Sequence, residues 1–164
     1  MISAVLRTPD GTAHLRYHIN ARQTINNEQV ADFLRVLHAE ALSVGSAGLV
    51  VIWDNGNNHR GEPIRQLCTE LSGELYLWSL PPYSPDFNPD ESVWRQLKRL
   101  PEMLANFAAH TVDELATRAG ECLAKLAGDA TRLSKMLRTS MIDWPTLLTP
   151  PPLPPDGFGF SSAR

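Results

Sequence analysis

The chain reads as an α/β protein of a single domain. Short strand-like apolar runs alternate with longer stretches whose apolar residues recur at helical spacing. One run, GLVVIWD at 48–54, is apolar until its final carboxylate and carries β-branched residues. That pattern suits a central strand buried on both faces. The length of 164 residues, with 43% hydrophobic and 20% charged content, is enough for a real core.

The elements follow in order. Residues 2–7 (ISAVLR) and 12–19 (TAHLRYHI) are strand-like, and Pro9-Asp10-Gly11 between them is a turn. Proline presets φ there and glycine accepts positive φ, so the segment predicts a β-hairpin with Asp10 as a turn residue. Val30, Phe33, Leu34, Leu37 and Leu42 then mark a helix capped by Asn26 or Asn27 and ending within 43–48. His38, late in that helix with no apparent partner, is expected to be solvated. After the strand at 48–54, residues 60–72 form a short helix with Pro63 in its first turn and Gly73 closing it. Residues 74–80 (ELYLWSL) are the next strand, ended by Pro81-Pro82.

Asn88-Pro89-Asp90-Glu91 starts another helix. Asparagine caps it, proline suits its first position, and the two acids favour the positive end of the helix dipole. Val93, Trp94, Leu97 and Leu100 carry it on until Pro101 interrupts it. Thr111 and Glu114 form a capping box for a helix at 111–126, and a last helix is expected at 129–140. The domain therefore spans 1–143. Proline and glycine density in 144–164 predicts an extended or disordered tail.

Composition narrows the function. No apolar run approaches the ~20 residues of a membrane span. The N-terminus shows no secretory pattern, so a cytoplasmic protein is expected. Cys68 and Cys122 match no metal spacing and are expected to be reduced. The net charge of −3 argues against autonomous tight DNA binding, because phosphate contacts call for a basic surplus.

Two carboxylates stand at element ends, Asp54 after a strand and Glu91 at a helix start. Catalytic groups in α/β sheets gather at the carboxyl ends of strands. Hard oxygen donors in such places can hold Mg²⁺, which keeps several waters and needs few protein ligands. Both residues also have local explanations: Asp-Asn-Gly is turn chemistry, and acids cap helices.

The segments WDNGNNHR and LPPYSPDFNPDESVWRQLKR together resemble the DDE transposases of the IS630/Tc1/mariner superfamily. Thirty-six residues separate Asp54 from Glu91, close to the spacing in that family. The resemblance runs from the hairpin to about residue 140. It implies an RNase H-like mixed sheet flanked by helices. It also implies Mg²⁺- or Mn²⁺-dependent DNA cleavage and strand transfer, with transposon ends and target DNA as partners and a bacterial, nucleoid-associated setting.

Carried over by position, Asp54 and Glu91 are the second and third acids of the catalytic triad and its metal ligands. Asn55 and His59 fall on the supporting positions beside Asp54. Trp94 and Lys98 fall on the helix after Glu91, Trp94 as core packing and Lys98 as a supporting cation able to approach phosphate. In the family the first catalytic aspartate precedes the hairpin, on the first strand of the fold. No aspartate precedes Asp10 here. The reading is therefore a catalytic domain without its first strand, its first aspartate and the N-terminal DNA-binding region. It is expected to be inactive alone, with impaired metal binding. The alternative is an interaction or regulatory module that complements or modulates a full-length or split transposase; the protein partners expected are a second copy, as a homodimer, or a separate N-terminal part of a transposase.

Overall fold

The computed structural model describes residues 1–54, 56, 59, 61–140 and 142. Its elements follow the expected order. Strands β1 (Ile2–Arg7) and β2 (Ala13–His18) form the antiparallel hairpin, with Val5 opposite Leu15. At the turn, Gly11 adopts a φ of 88°. Asp10 Oδ1 accepts the Thr8 hydroxyl at 2.5 Å and the Thr12 N–H at 3.0 Å. Donors that favour the charged form lower an acid's pKa. The Thr8 hydroxyl, then Thr12, hold the Asp10 carboxyl down to about 2.

Helix α1 (Asn27–Ser43) opens with a capping box: Asn26 accepts from the Gln29 N–H, and the Gln29 side chain accepts from the Asn26 N–H. Strand β3 (Leu49–Trp53), helix α2 (Glu62–Glu70) and strand β4 (Leu75–Ser79) form a β-α-β unit, with β3 and β4 parallel and Leu49 opposite Leu75. Gly48 allows their close start: a Cβ there would lie 2.3 Å from the Glu74 carbonyl oxygen, which accepts the Leu49 N–H at 2.7 Å. Helices α3 (Pro89–Arg99), α4 (Val112–Ala127) and α5 (Ala130–Thr139) complete the described fold.

The strands do not merge into one sheet among the described residues. They form two two-stranded sheets, β1-β2 antiparallel and β3-β4 parallel. Two cores join them, and period-2 alternation in β1 divides its side chains between the two. Ile2, Ala4 and Leu6 face the core that α1 and α2 build with Leu49, Val51, Trp53, Leu75 and Leu77. Val5, with Ala13, Leu15 and Tyr17 of β2, faces the core built by α3, α4 and α5 around Val93, Leu97, Leu123 and Leu133. Arg16 of β2 forms a salt bridge with Glu40 of α1 on the first of these faces.

Three expectations change. The strand at 48–54 is not buried on both faces: Val50 is 44% exposed, and Trp78 on the neighbouring strand is 47% exposed. The helices α3 to α5 pack on the hairpin, so this face of β3-β4 lacks their cover. His38 is not solvated but only 6% exposed. Its Nε2 lies 2.9 Å from Glu74 Oε2, a contact that becomes an ion pair when the ring is protonated. Thr111 caps α4 as expected, accepting the Glu114 N–H, but Glu114 reaches back to the N–H of His110 instead of Thr111. The tail expected at 144–164 lies outside the described residues.

The turn carboxylate makes stability depend on pH. Asp10 has a depressed pKa in the fold, so its contribution is present above the ordinary value of 3.8 and is lost as pH falls toward about 2. Asp10→Asn should therefore lower the melting temperature near neutral pH. Wild type and variant should converge between about pH 4 and pH 2 in thermal melts followed by circular dichroism. A constant gap across that range would contradict the assignment.

Candidate active site

Parallel pairing of β3 and β4 brings the carboxyl ends of both strands to one edge. The Leu80 N–H donates to the Trp53 carbonyl at 2.8 Å, which extends the pairing one step past the strands. Asp54 leaves β3 at that edge. The chain leaving β4 runs through Pro81-Pro82 and a short 3-10 turn, Pro85–Phe87, into α3 at the same edge. The prolines stop β4, because they cannot donate to a ladder.

Asp54 is solvent-facing, with its side chain 58% exposed. Its Oδ1 accepts the Gly56 N–H at 2.9 Å. His59 folds back over this turn. Its Nδ1 lies 3.0 Å from Asp54 Oδ1 and 3.0 Å from the Asp54 carbonyl oxygen. The imidazole stacks on Trp53, with centroids 4.6 Å apart and planes 5° apart. The ring is thus held on two sides, by the strand's last aromatic and by the aspartate after it. The positions predicted to support Asp54 divide accordingly: His59 touches it, and Asn55 lies outside the described residues.

Glu91 sits in the exposed first turn of α3. Asn88 caps this helix by accepting the Asp90 N–H at 3.0 Å, as the sequence predicts. Lys98 is exposed in the last turn, seven residues after Glu91 and so on nearly the same helix face, about 10 Å along the axis. Trp94 packs against the hairpin-side core, in keeping with the expectation for it. It also has a polar task that its position in the sequence does not reveal. Its indole N–H donates to Asp90 Oδ2 at 2.8 Å.

Asp90, which in the sequence is a first-turn acid beside Glu91, has a further role in the fold. The Ser3 hydroxyl of β1 reaches both of its carboxylate oxygens at 2.8 Å. With Trp94 one turn on, Ser3 clamps the start of α3 to the hairpin. Burial raises the Asp90 pKa, and the nearby charges of Glu91 and Asp54 push in the same direction, while the two hydrogen bonds oppose them. The field of Asp54 therefore reaches the first turn of α3.

Asp54 and Glu91 offer exposed, hard oxygen donors, the kind that suits Mg²⁺ with several retained waters. Among the described residues, no three His, Cys, Asp or Glu side chains form a group able to hold a metal ion. The donor chemistry fits a divalent cation, and the described donor set is short of the three or four carboxylates that a two-metal site uses.

Comparison with known proteins adds the following. The family model for DDE superfamily endonucleases matches residues 12–116, a span that holds both Asp54 and Glu91. No curated protein matches the chain. Among solved structures, the Mos1 transposase catalytic domain, determined with raltegravir and Mg, is similar with a TM-score of 0.51 and 14% identity, covering 85% of this chain and 81% of that one. At that identity the likeness concerns the fold alone: it is the RNase H-like class that the family resemblance implies, with the described strands in two small sheets in place of one mixed sheet.

The clamp can be tested by substitution. Asp90→Ala leaves the Trp94 indole and the Ser3 hydroxyl without their acceptor and should cost about 2 kcal/mol in urea unfolding at neutral pH. Asp90→Asn keeps one oxygen for both donors and removes a charge crowded by Glu91 and Asp54, so it should unfold no earlier than wild type. Equal loss in both variants would show that the contact depends on the charge and not on the acceptor.

Proposed function

This chain belongs to the DDE superfamily endonucleases, and from that premise we propose that it is the catalytic domain of an IS630/Tc1/mariner-type transposase acting on DNA phosphodiesters. The observation that supports the reading is the parallel pairing of β3 with β4, which brings to one edge the strand end that Asp54 follows and the strand end whose chain leads into α3 and Glu91. Asp54 and Glu91 would hold Mg²⁺ or Mn²⁺. When bound, such an ion activates an attacking water or hydroxyl and stabilises the leaving oxygen.

The chain's own residues do the rest. His59, stacked on Trp53, fixes the Asp54 turn and keeps one carboxylate oxygen engaged. The Ser3–Asp90–Trp94 clamp sets the rotation of α3 and with it the direction of Glu91. Lys98 is a cation within reach of a phosphodiester laid along α3. DNA is the partner in this reading. The net charge of −3 makes its capture by this chain weak and salt-sensitive.

Two carboxylates position a metal poorly. A misplacement of about 1 Å can already cost about 10²-fold in rate. We therefore infer that the chain by itself binds Mn²⁺ loosely and does not cut DNA, and that a further carboxylate completes the site.

Mn²⁺ titration followed by tryptophan fluorescence tests the ligands directly, since Trp53 adjoins Asp54. Wild type should show saturable quenching that Asp54→Asn and Glu91→Gln each weaken about 10-fold or more. Unchanged titrations in both variants would remove these residues as ligands. Supercoiled plasmid incubated with Mg²⁺ or Mn²⁺ should remain intact. Nicking by wild type that both variants abolish would establish a complete site in this chain and overturn the inference of inactivity.

A further inference from the structure

Tyr83 is the one non-glycine residue with positive φ among the described residues, at 57°. This left-handed conformation is unfavourable for an L-residue with a large side chain. It follows Pro82, the arrangement of a turn in which glycine or asparagine ordinarily fills the position after proline. The strain is not repaid by packing. The Tyr83 side chain is fully exposed, at 103%, and makes no hydrogen bond or ring contact with the described residues.

The segment around it is braced. Pro81, Pro82 and Pro85 restrict the backbone. The Ser84 hydroxyl donates to the Pro82 carbonyl at 3.3 Å, and the Phe87 N–H donates to the Ser84 carbonyl at 3.2 Å. A bare aromatic ring is thus held out on a stiff loop, at the strand edge that carries Asp54 and a few residues before Glu91. Strain that brings no packing and sits beside reactive groups points to a task in binding.

From this geometry we propose that Tyr83 is a base-stacking residue: its ring receives an unpaired nucleobase next to the phosphodiester presented to Asp54 and Glu91. Every base offers a flat face to an aromatic ring, so the contact is tolerant of sequence and selects for DNA whose base has left the duplex. The hydroxyl is not needed for stacking. Loop rigidity lowers the cost of ordering on binding. The inference rests on the DNA reading above and adds the local form of the substrate: duplex with at least one unstacked base at the site.

The test uses the full chain at low salt with a short duplex carrying a single-stranded end in which one base is 2-aminopurine. Binding is followed by anisotropy of a dye on the far end, and stacking by quenching of 2-aminopurine emission. Wild type, Tyr83→Phe and Tyr83→Trp should quench on binding. Tyr83→Gly and Tyr83→Asn should bind the fully paired duplex as wild type does, fail to quench, and lose about 10-fold or more in affinity for the overhang substrate. They should also melt at higher temperature, because they relieve the strained φ. Equal quenching by Tyr83→Gly, with duplex binding retained, overturns the role of Tyr83 and leaves the DNA reading in place. Absence of any anisotropy change with wild type overturns both. Destabilisation by Tyr83→Gly would mean that the ring is needed for folding, and would also overturn the proposal.

Discussion

Parallel pairing of β3 with β4 is the constraint on which the arrangement depends. Parallel strands send their carboxyl ends to one edge, so residues far apart in sequence leave the sheet side by side. Asp54 leaves there, and so does the segment that becomes α3 with Glu91. The pairing starts tightly because Gly48 has no Cβ to collide with Glu74. It ends tightly because the Leu80 N–H reaches the Trp53 carbonyl. Pro81 and Pro82 then forbid further pairing and turn the chain toward the helix.

A second constraint sets how α3 meets the hairpin. The hydrophobic contacts of Val93 and Leu97 hold α3 against the core, but apolar packing is non-directional. The hydrogen bonds from Ser3 and Trp94 to Asp90 are directional and fix the first turn. Ser3 can do this because it shares a strand face with Val5, on the side of α3. The residues on either side of Ser3, Ile2 and Ala4, point into the other core. One strand therefore serves both cores and also supplies the polar tie to the candidate site.

Much of this was legible because local chemistry decided it. The caps at Asn26, Asn88 and Thr111 form where short polar side chains precede apolar periodicity. The Pro9-Asp10-Gly11 turn forms because its φ requirements are written in its residues. What failed were statements about surroundings. Helical spacing identified α1 but could not show that Glu74, at the entrance to β4, would lie against His38. An apolar run identified β3 but could not show which of its faces the later helices would leave open at Val50. Asp90 looked like ordinary first-turn acidity, since nothing in its neighbourhood of the sequence mentions Ser3, 87 residues away. Tyr83 stood within the family motif, but its φ was not legible, because a residue type does not reveal its φ when a braced loop overrides its preference.

By itself the sequence determined the elements, their order, the α/β class and the two carboxylates at element ends. It also carried the family motif, because side-chain periodicity, turn chemistry and short-range spacing are properties of the chain alone. Tertiary structure decided the rest: the division of the strands into two sheets, the sharing of β1 between two cores, the clamp on Asp90, the stacking of His59 on Trp53 and the exposed ring of Tyr83. Each of these depends on which distant surfaces meet. Burial and directional hydrogen bonding settle that only when the whole chain is packed.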